Sequence, residues 1–157
     1  MCASADRQAV EEANEQTFYY TNQCPQWQNS FNSGVWSSLE EAVQSNAPTA
    51  SGDTLYVVSG VLFETNNSGS SNDGGTVGRP SHFYKLLMRC TIFGGSITAA
   101  QGVAYIYTNE AHSGVNYNAS QFRTTIANIE SRTGFNFFPS VPAALQTSAE
   151  NSNASLW

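Results

Sequence analysis

Three runs of β-branched and aromatic residues constrain this chain more than any other feature: residues 54–63 (TLYVVSGVLF), 82–93 (HFYKLLMRCTIF) and 102–109 (GVAYIYTN). Such residues suit a pleated, packed surface, and each run has the length of one strand. The first follows a Gly-Asp turn signal and is expected to be buried. The second has some helical ambiguity, because Leu86, Leu87 and Met88 run together. An antiparallel sheet is the simplest way to hold all three.

Two segments carry a helical stripe instead. From about Phe31 to Ser45, the apolar residues Val35, Leu39, Ala42 and Val43 fall at i, i+4, i+7 and i+8, the spacing of a helix packed on a core, and Pro48 lies where it should stop. In FRTTIANIESRTG, Phe122, Ile126 and Ile129 share a face and Gly134 is placed to end the helix. A shorter helix is expected over residues 6–14, with Ala9, Val10 and Ala13 on one side, then a short strand at 18–21. The following NQCPQWQNS reads as a loop, because Pro25 disfavours both a helix interior and a central strand. Residues 64–81 are poor in apolar side chains and rich in Gly, Ser and Asn, the composition of a long mobile loop inserted in a domain. The expected organisation is one α+β domain over residues 1–145, with a polar, frayed tail at 146–157.

A chain of 157 residues fits one core and buries roughly two-thirds of its unfolded surface. With 40% hydrophobic and 12% aromatic residues it is not a disordered chain. No apolar run approaches the roughly 18 to 20 residues that span a bilayer, and MCASADRQ lacks the pattern of a signal peptide. Cys2, Cys24 and Cys90 are odd in number and lack metal-type spacing, so at most one disulfide can form among them. A net charge of −6 argues against a broad basic surface, yet leaves room for a local cationic groove drawn from Arg7, Arg79, Lys85, Arg89, Arg123 and Arg132.

The densest set of functional side chains lies on and just before the first long helix: Asn22, Gln26, Asn32, Trp36 and Glu40. Four-residue steps place Asn32, Trp36 and Glu40 on a slowly drifting stripe beside the apolar one. An amide oxygen and a carboxylate near a sheet edge can hold a hard cation. The plainer reading makes Asn32 a helix cap, Glu40 and Glu41 a solvated face, and Trp36 a core residue.

The segment FYYTNQCPQWQNSFNSGVWSSLEEAV resembles the signature of the DNA/RNA nonspecific endonuclease family, of the ββα-metal (His-Me finger) fold. That pattern, approximately Asn-x-x-Pro-Gln, a short gap, then Asn-x-Gly-x-Trp-x-x-Leu-Glu, is matched at Asn22, Pro25, Gln26, Asn32, Gly34, Trp36, Leu39 and Glu40. GDTLYVVSG, PSHFYKLLM and IANIESRTGFNFFPSVP resemble later segments of the same family in the expected order.

The resemblance implies a magnesium-dependent endonuclease that hydrolyses DNA and RNA to 5′-phosphate ends. Asn32 is implied as the direct ligand of one magnesium ion, with manganese or calcium able to replace it, and Glu40 as a partner of metal-bound waters. Asn22 and Gln26 would order the loop, Trp36 would pack beneath the site, and Arg7 or Lys85 would meet the substrate. Gln44 stands where family members often have an arginine. The family's general base is the histidine of an Asp-Arg-Gly-His motif. This chain lacks that motif, and Met1 is expected to occupy the position after it. His82 and His112 match no catalytic position. Without the hairpin that carries the histidine, an exposed sheet edge is expected, with self-association or strand exchange. Related bacterial nucleases imply a secreted or periplasmic full-length protein. Two other readings stay open: a catalytically inactive nuclease-derived protein that binds metal or nucleic acid, and a bacterial surface or carbohydrate-binding module.

Overall fold

A computed structural model describes residues 2–64, 68–70 and 76–157. In chain order the regular elements are helix α1 (Glu11–Glu15), helix α2 (Ser37–Ser45), strands β1 (Asp53–Leu62), β2 (Ser68–Ser70), β3 (Thr76–Gly78), β4 (His82–Phe93), β5 (Ser96–Thr108) and β6 (Arg123–Thr124), and helices α3 (Ile126–Thr133) and α4 (Ala143–Glu150). The architecture is α+β: an open antiparallel sheet of order β1-β4-β5-β6 flanked by helices. β2 and β3 pair separately within the segment expected to be a loop. Residues 65–67 and 71–75 of that expected loop lie outside the described residues.

β4 sits between β1 and β5, which explains the unbroken apolar run at Leu86–Met88: a central strand covered on both faces needs no polar alternation. Phe83 and Leu87 point to one face with Val103, Tyr105 and Tyr107 of β5. Tyr84, Leu86, Met88 and Cys90 point to the other, with Ala104. The segment from Phe31 to Leu39 covers the first face, and α3 and α4 cover the second through Ile126, Ile129 and Ala149. α4 comes so close to β5 that a Cβ at Gly102 would lie 2.8 Å from Ile126 Cδ1 and 2.7 Å from the carbonyl oxygen of Ala149. β4 and β5 are joined through Gly94 and Gly95, both at positive φ, which suits a tight hairpin.

Several expectations need correction. The helix expected over 6–14 is interrupted at Val10, whose backbone is extended and whose side chain is 58% exposed, so no core contact favours continuity. Residues 18–21 are not a strand. Their backbone closes local turns, Tyr19 N donating to Gln16 O and Asn22 N to Tyr19 O, and Phe18, Tyr19 and Tyr20 are exposed. β1 is an edge strand with Tyr56 and Val57 partly in solvent, not the buried strand expected. The long helix is regular only from Ser37, because Ser30 is left-handed and Ser33 and Gly34 leave helical geometry. α3 begins after the Thr125 cap, so Phe122 packs on the opposite sheet face from Ile126 and Ile129. The tail expected to fray is partly helix α4, with Ala149 and Glu150 buried, and Leu156 and Trp157 pack against the aromatic face of the sheet. Among the described residues no helix is long and apolar enough to cross a membrane.

Candidate functional site

The irregular backbone from Gln28 to Trp36 determines what faces the sheet and what faces solvent. Ser30, at φ 57°, is the one non-glycine residue with positive φ among the described residues. Its hydroxyl donates to Asn29 O at 2.6 Å and accepts from His112 N at 3.1 Å, so the strained turn is held from both sides. Immediately after it, Phe31 is fully buried and meets the rings of Trp36, Phe83, Tyr107 and His112 at centroid distances of 5.3 to 6.0 Å. Asn32 turns the other way and is half-buried. Its Nδ2 donates to Gln28 Oε1 at 3.0 Å, while Oδ1 accepts no hydrogen bond from the described residues.

A cleft of about 380 Å³ is lined by Asn22, Gln26, Asn32, Trp36 and Glu40, together with Cys2, Thr17, Phe18 and Cys24. All five residues singled out in the sequence therefore line one cavity, although the backbone between Asn32 and Trp36 is not the regular helix from which their stripe was derived. Trp36 is nearly buried, edge-on to Phe31, Phe83 and Tyr107, and floors the cleft.

Asn22 is fully engaged with its neighbours. Its Oδ1 accepts from Cys2 N at 2.7 Å, and its Nδ2 donates to Cys2 O and Thr17 O, each at 2.8 Å. It thus pins the N-terminal segment to the cleft wall. Gln26 presents a buried Nε2 with no acceptor among the described residues. A buried amide nitrogen in that state has room for a water or ligand oxygen.

Asn109, which the sequence reading placed at the end of a strand and gave no further role, holds the Pro-Gln loop. It is 5% exposed, accepts from Trp27 N at 2.8 Å, and donates to Pro25 O and Pro80 O at 3.0 Å. No single-sequence signal marks it, since its partners are backbone groups far along the chain.

The two cations expected near the substrate occupy different positions. Arg7 is exposed and lines a hollow beside the cleft with Cys2, Asn22 and Lys85. Lys85 is 5% exposed, its Nζ 3.5 Å from Glu40 Oε1 and 4.6 Å from the Trp36 ring centroid. Burial pushes the Lys85 ammonium below its ordinary pKa, and the Glu40 charge opposes that shift. Gln44 is bonded to Asp6 rather than directed at the cleft. Of the other cations, Arg132 binds Glu64 and Arg89 donates to Asn46 O, so they do not gather at the site.

Neither histidine lines the cleft. His82 contacts Ser81 Oγ at 2.9 Å and Glu64 Oε2 at 3.3 Å, and the His112 ring lies against Thr108 O and the aromatic cluster. Among the described residues no three His, Cys, Asp or Glu side chains gather as a metal cage. One amide oxygen and one carboxylate instead suit a cation that keeps most of its own waters. Magnesium does so more readily than zinc, which prefers nitrogen and sulfur ligands.

A family model described as DNA/RNA non-specific endonuclease matches residues 1–144. Nuclease C1 of Cunninghamella echinulata var. echinulata is 30% identical over 148 residues, covering 88% of this chain and 55% of that protein. The Nuclease of Serratia marcescens is 25% identical over 133 residues, covering 85% and 47%. The mitochondrial Nuclease EXOG of Danio rerio is 27% identical over 150 residues, covering 90% and 42%. The chain spans about half the length of the curated relatives it matches.

Proposed function

Because the chain belongs to the DNA/RNA non-specific endonuclease family, we propose that it carries the metal half of a nuclease site that hydrolyses phosphodiester bonds of DNA and RNA to 5′-phosphate ends with little base preference. The observation that carries this reading is the convergence of Asn22, Gln26, Asn32, Trp36 and Glu40 on one cleft. Asn32 Oδ1, which accepts no hydrogen bond from the described residues, is the direct ligand of a magnesium ion. The Glu40 oxygen not held by Lys85 and the Gln26 amide order surrounding waters. Bound there, magnesium supplies a positive charge to the phosphate and to the leaving oxygen. Trp36 floors the site and excludes water from below, while Asn22 fixes the N-terminal wall. Arg7 is the cation best exposed to meet substrate phosphate. Little base preference follows from contacts directed at phosphate rather than at base edges.

The proton acceptor for the attacking water is assigned to a histidine of an Asp-Arg-Gly-His segment, which these 157 residues do not contain. The positions of His82 and His112 outside the cleft support that assignment. The same observation favours a second reading for the chain taken alone: it binds metal or nucleic acid without cutting. Exposed Tyr56 and Val57 on edge strand β1, with Phe18, Tyr19 and Tyr20 nearby in sequence to the cleft wall, support self-association as part of this proposal. Secretion or a periplasmic location stays within it too, although one relative is named as mitochondrial.

Plasmid nicking in magnesium tests the reading, comparing this chain, a form extended upstream with the Asp-Arg-Gly-His segment, and Asn32→Ala in the extended form. Cleavage by the extended form alone is the expected result. Equal cleavage by the short chain overturns the assignment of the base, and equal cleavage by the Asn32→Ala form overturns that of the metal ligand.

A further inference from the structure

Lys85 lies on the central strand β4, paired with Ser59 on one side and Tyr105 on the other, so its backbone cannot shift without breaking two ladders. Its parity is that of Phe83 and Leu87, which directs the side chain into the aromatic face rather than toward solvent. There the ammonium rests over Trp36, itself boxed in by Phe31, Phe83 and Tyr107. Its side chain is 6% exposed, and the oxygen it meets at 3.5 Å is Glu40 Oε1. A cation so enclosed has little freedom to leave for a phosphate. It faces a carboxylate that lines the cleft with its other oxygen unclaimed by the described residues.

We propose that Lys85 is a positioning residue: by holding one oxygen of Glu40 it leaves the carboxylate a single oxygen for the cleft, and so makes the site select a strongly hydrated divalent cation over calcium. Calcium takes six to eight oxygens and readily accepts both oxygens of a carboxylate, whereas magnesium keeps several waters and needs few protein ligands. A Glu40 tied on one side can still meet the waters of magnesium with its remaining oxygen, but cannot swing in to give calcium both. This inference rests on the reading of Asn32 and Glu40 as a divalent-cation site, and extends it from which residues hold the ion to which ion they admit.

Calorimetric titration with magnesium chloride and calcium chloride tests it, with no turnover required. The proteins are the unaltered chain, Lys85→Met, Lys85→Arg, Asn32→Ala, Glu40→Gln and the Glu40→Gln/Lys85→Met double variant. The unaltered chain is expected to bind magnesium at least as tightly as calcium. Lys85→Met keeps a chain over Trp36 but frees the carboxylate, and is expected to tighten calcium on the order of tenfold, with a smaller change for magnesium. Lys85→Arg is expected to keep the unaltered preference, and in the Glu40→Gln background the Lys85→Met change should no longer favour calcium. A clear calcium preference in the unaltered chain overturns the proposal without any variant. So does a Lys85→Met effect that persists without the Glu40 carboxylate, which would make Lys85 a distant charge and nothing more. Loss of cation binding in Asn32→Ala, beside an unchanged preference in Lys85→Met, sinks this inference and spares the metal site. Undiminished binding in Asn32→Ala, or no binding by the unaltered chain, sinks the site reading and this inference with it.

Discussion

Replacing Asn22 by alanine should release the N-terminal wall of the cleft without unfolding the domain. The side chain makes three hydrogen bonds, one from Cys2 N and two to the carbonyls of Cys2 and Thr17, all between 2.7 and 2.8 Å. Each contributes about 1 kcal/mol net, and water replaces some of it at a half-buried site, so the loss is about 2 to 3 kcal/mol. That energy ties one short segment to a loop, whereas the sheet and its two faces are held by a core that Asn22 does not touch. Local opening, not global unfolding, is therefore the expected event. Hydrogen exchange read by peptide mass is the assay. Protection in peptides from the first twenty-two residues should fall by roughly thirty- to a hundred-and-sixtyfold, with peptides from β4 and β5 unchanged. Unaltered protection at the N-terminus would refute the pinning role. An equal loss everywhere would show that the wall and the sheet unfold as one unit.

Asn109→Ala leaves Trp27 N, Pro25 O and Pro80 O without their partner, and should cost about 2 to 3 kcal/mol in urea denaturation. Gly102→Ala drives a methyl group against the Ala149 carbonyl oxygen and should cost about 1 to 3 kcal/mol by the same measurement, and Ile126→Val should not recover most of it, because the backbone contact remains. Burial, then the Arg132 charge, holds His82 below its ordinary pKa of 6.5. The unfolded chain therefore takes up that proton first, and stability is lost as pH falls through 6.5 toward the folded value. Urea midpoints at about pH 7.5 and about pH 5.5 should differ in the unaltered chain and differ less in His82→Asn. The Arg132 hydrogen bond likewise holds Glu64 below the usual carboxylate range, but that loss comes at lower pH and is small because the pair is exposed.

The strands were legible because β-branched and aromatic runs report a packed pleated surface, and all three runs became β1, β4 and β5. α3 was legible at its C-terminal end, through the left-handed Gly134, but its start was set too early, because the Thr125 hydroxyl that accepts from Asn128 N caps the helix after Phe122. The aromatics at 18–20 misled for the same physical reason that the strands did not. β-propensity measures fit to neighbours, and these residues have no partner strand among the described residues. α4 was missed because its buried side is small, with Ala149 against β5 and no large apolar period to reveal it. The kink at Ser30 and Gly34 was invisible to a reading that counts spacings, since spacing assumes the regular helix it is meant to detect. Burial of Lys85 could have been read: it shares the parity of Phe83 and Leu87, and only the habit of placing lysine in solvent hid it. That Asn22, Gln26, Asn32, Trp36 and Glu40 belong together was legible from the fixed gaps of one segment, and they line one cleft. Asn109 was not, because its role is created by three backbone groups that only the fold brings together.

Titration with manganese while recording amide spectra by nuclear magnetic resonance tests most directly whether this cleft is a divalent-cation site. The side-chain amide signals of Asn32 and Gln26 and the indole signal of Trp36 are expected to broaden first, and Asn32→Ala to abolish the effect. First broadening at the acidic stretch Glu11, Glu12 and Glu15, or at Glu64, with the Asn32 signals untouched, would contradict it.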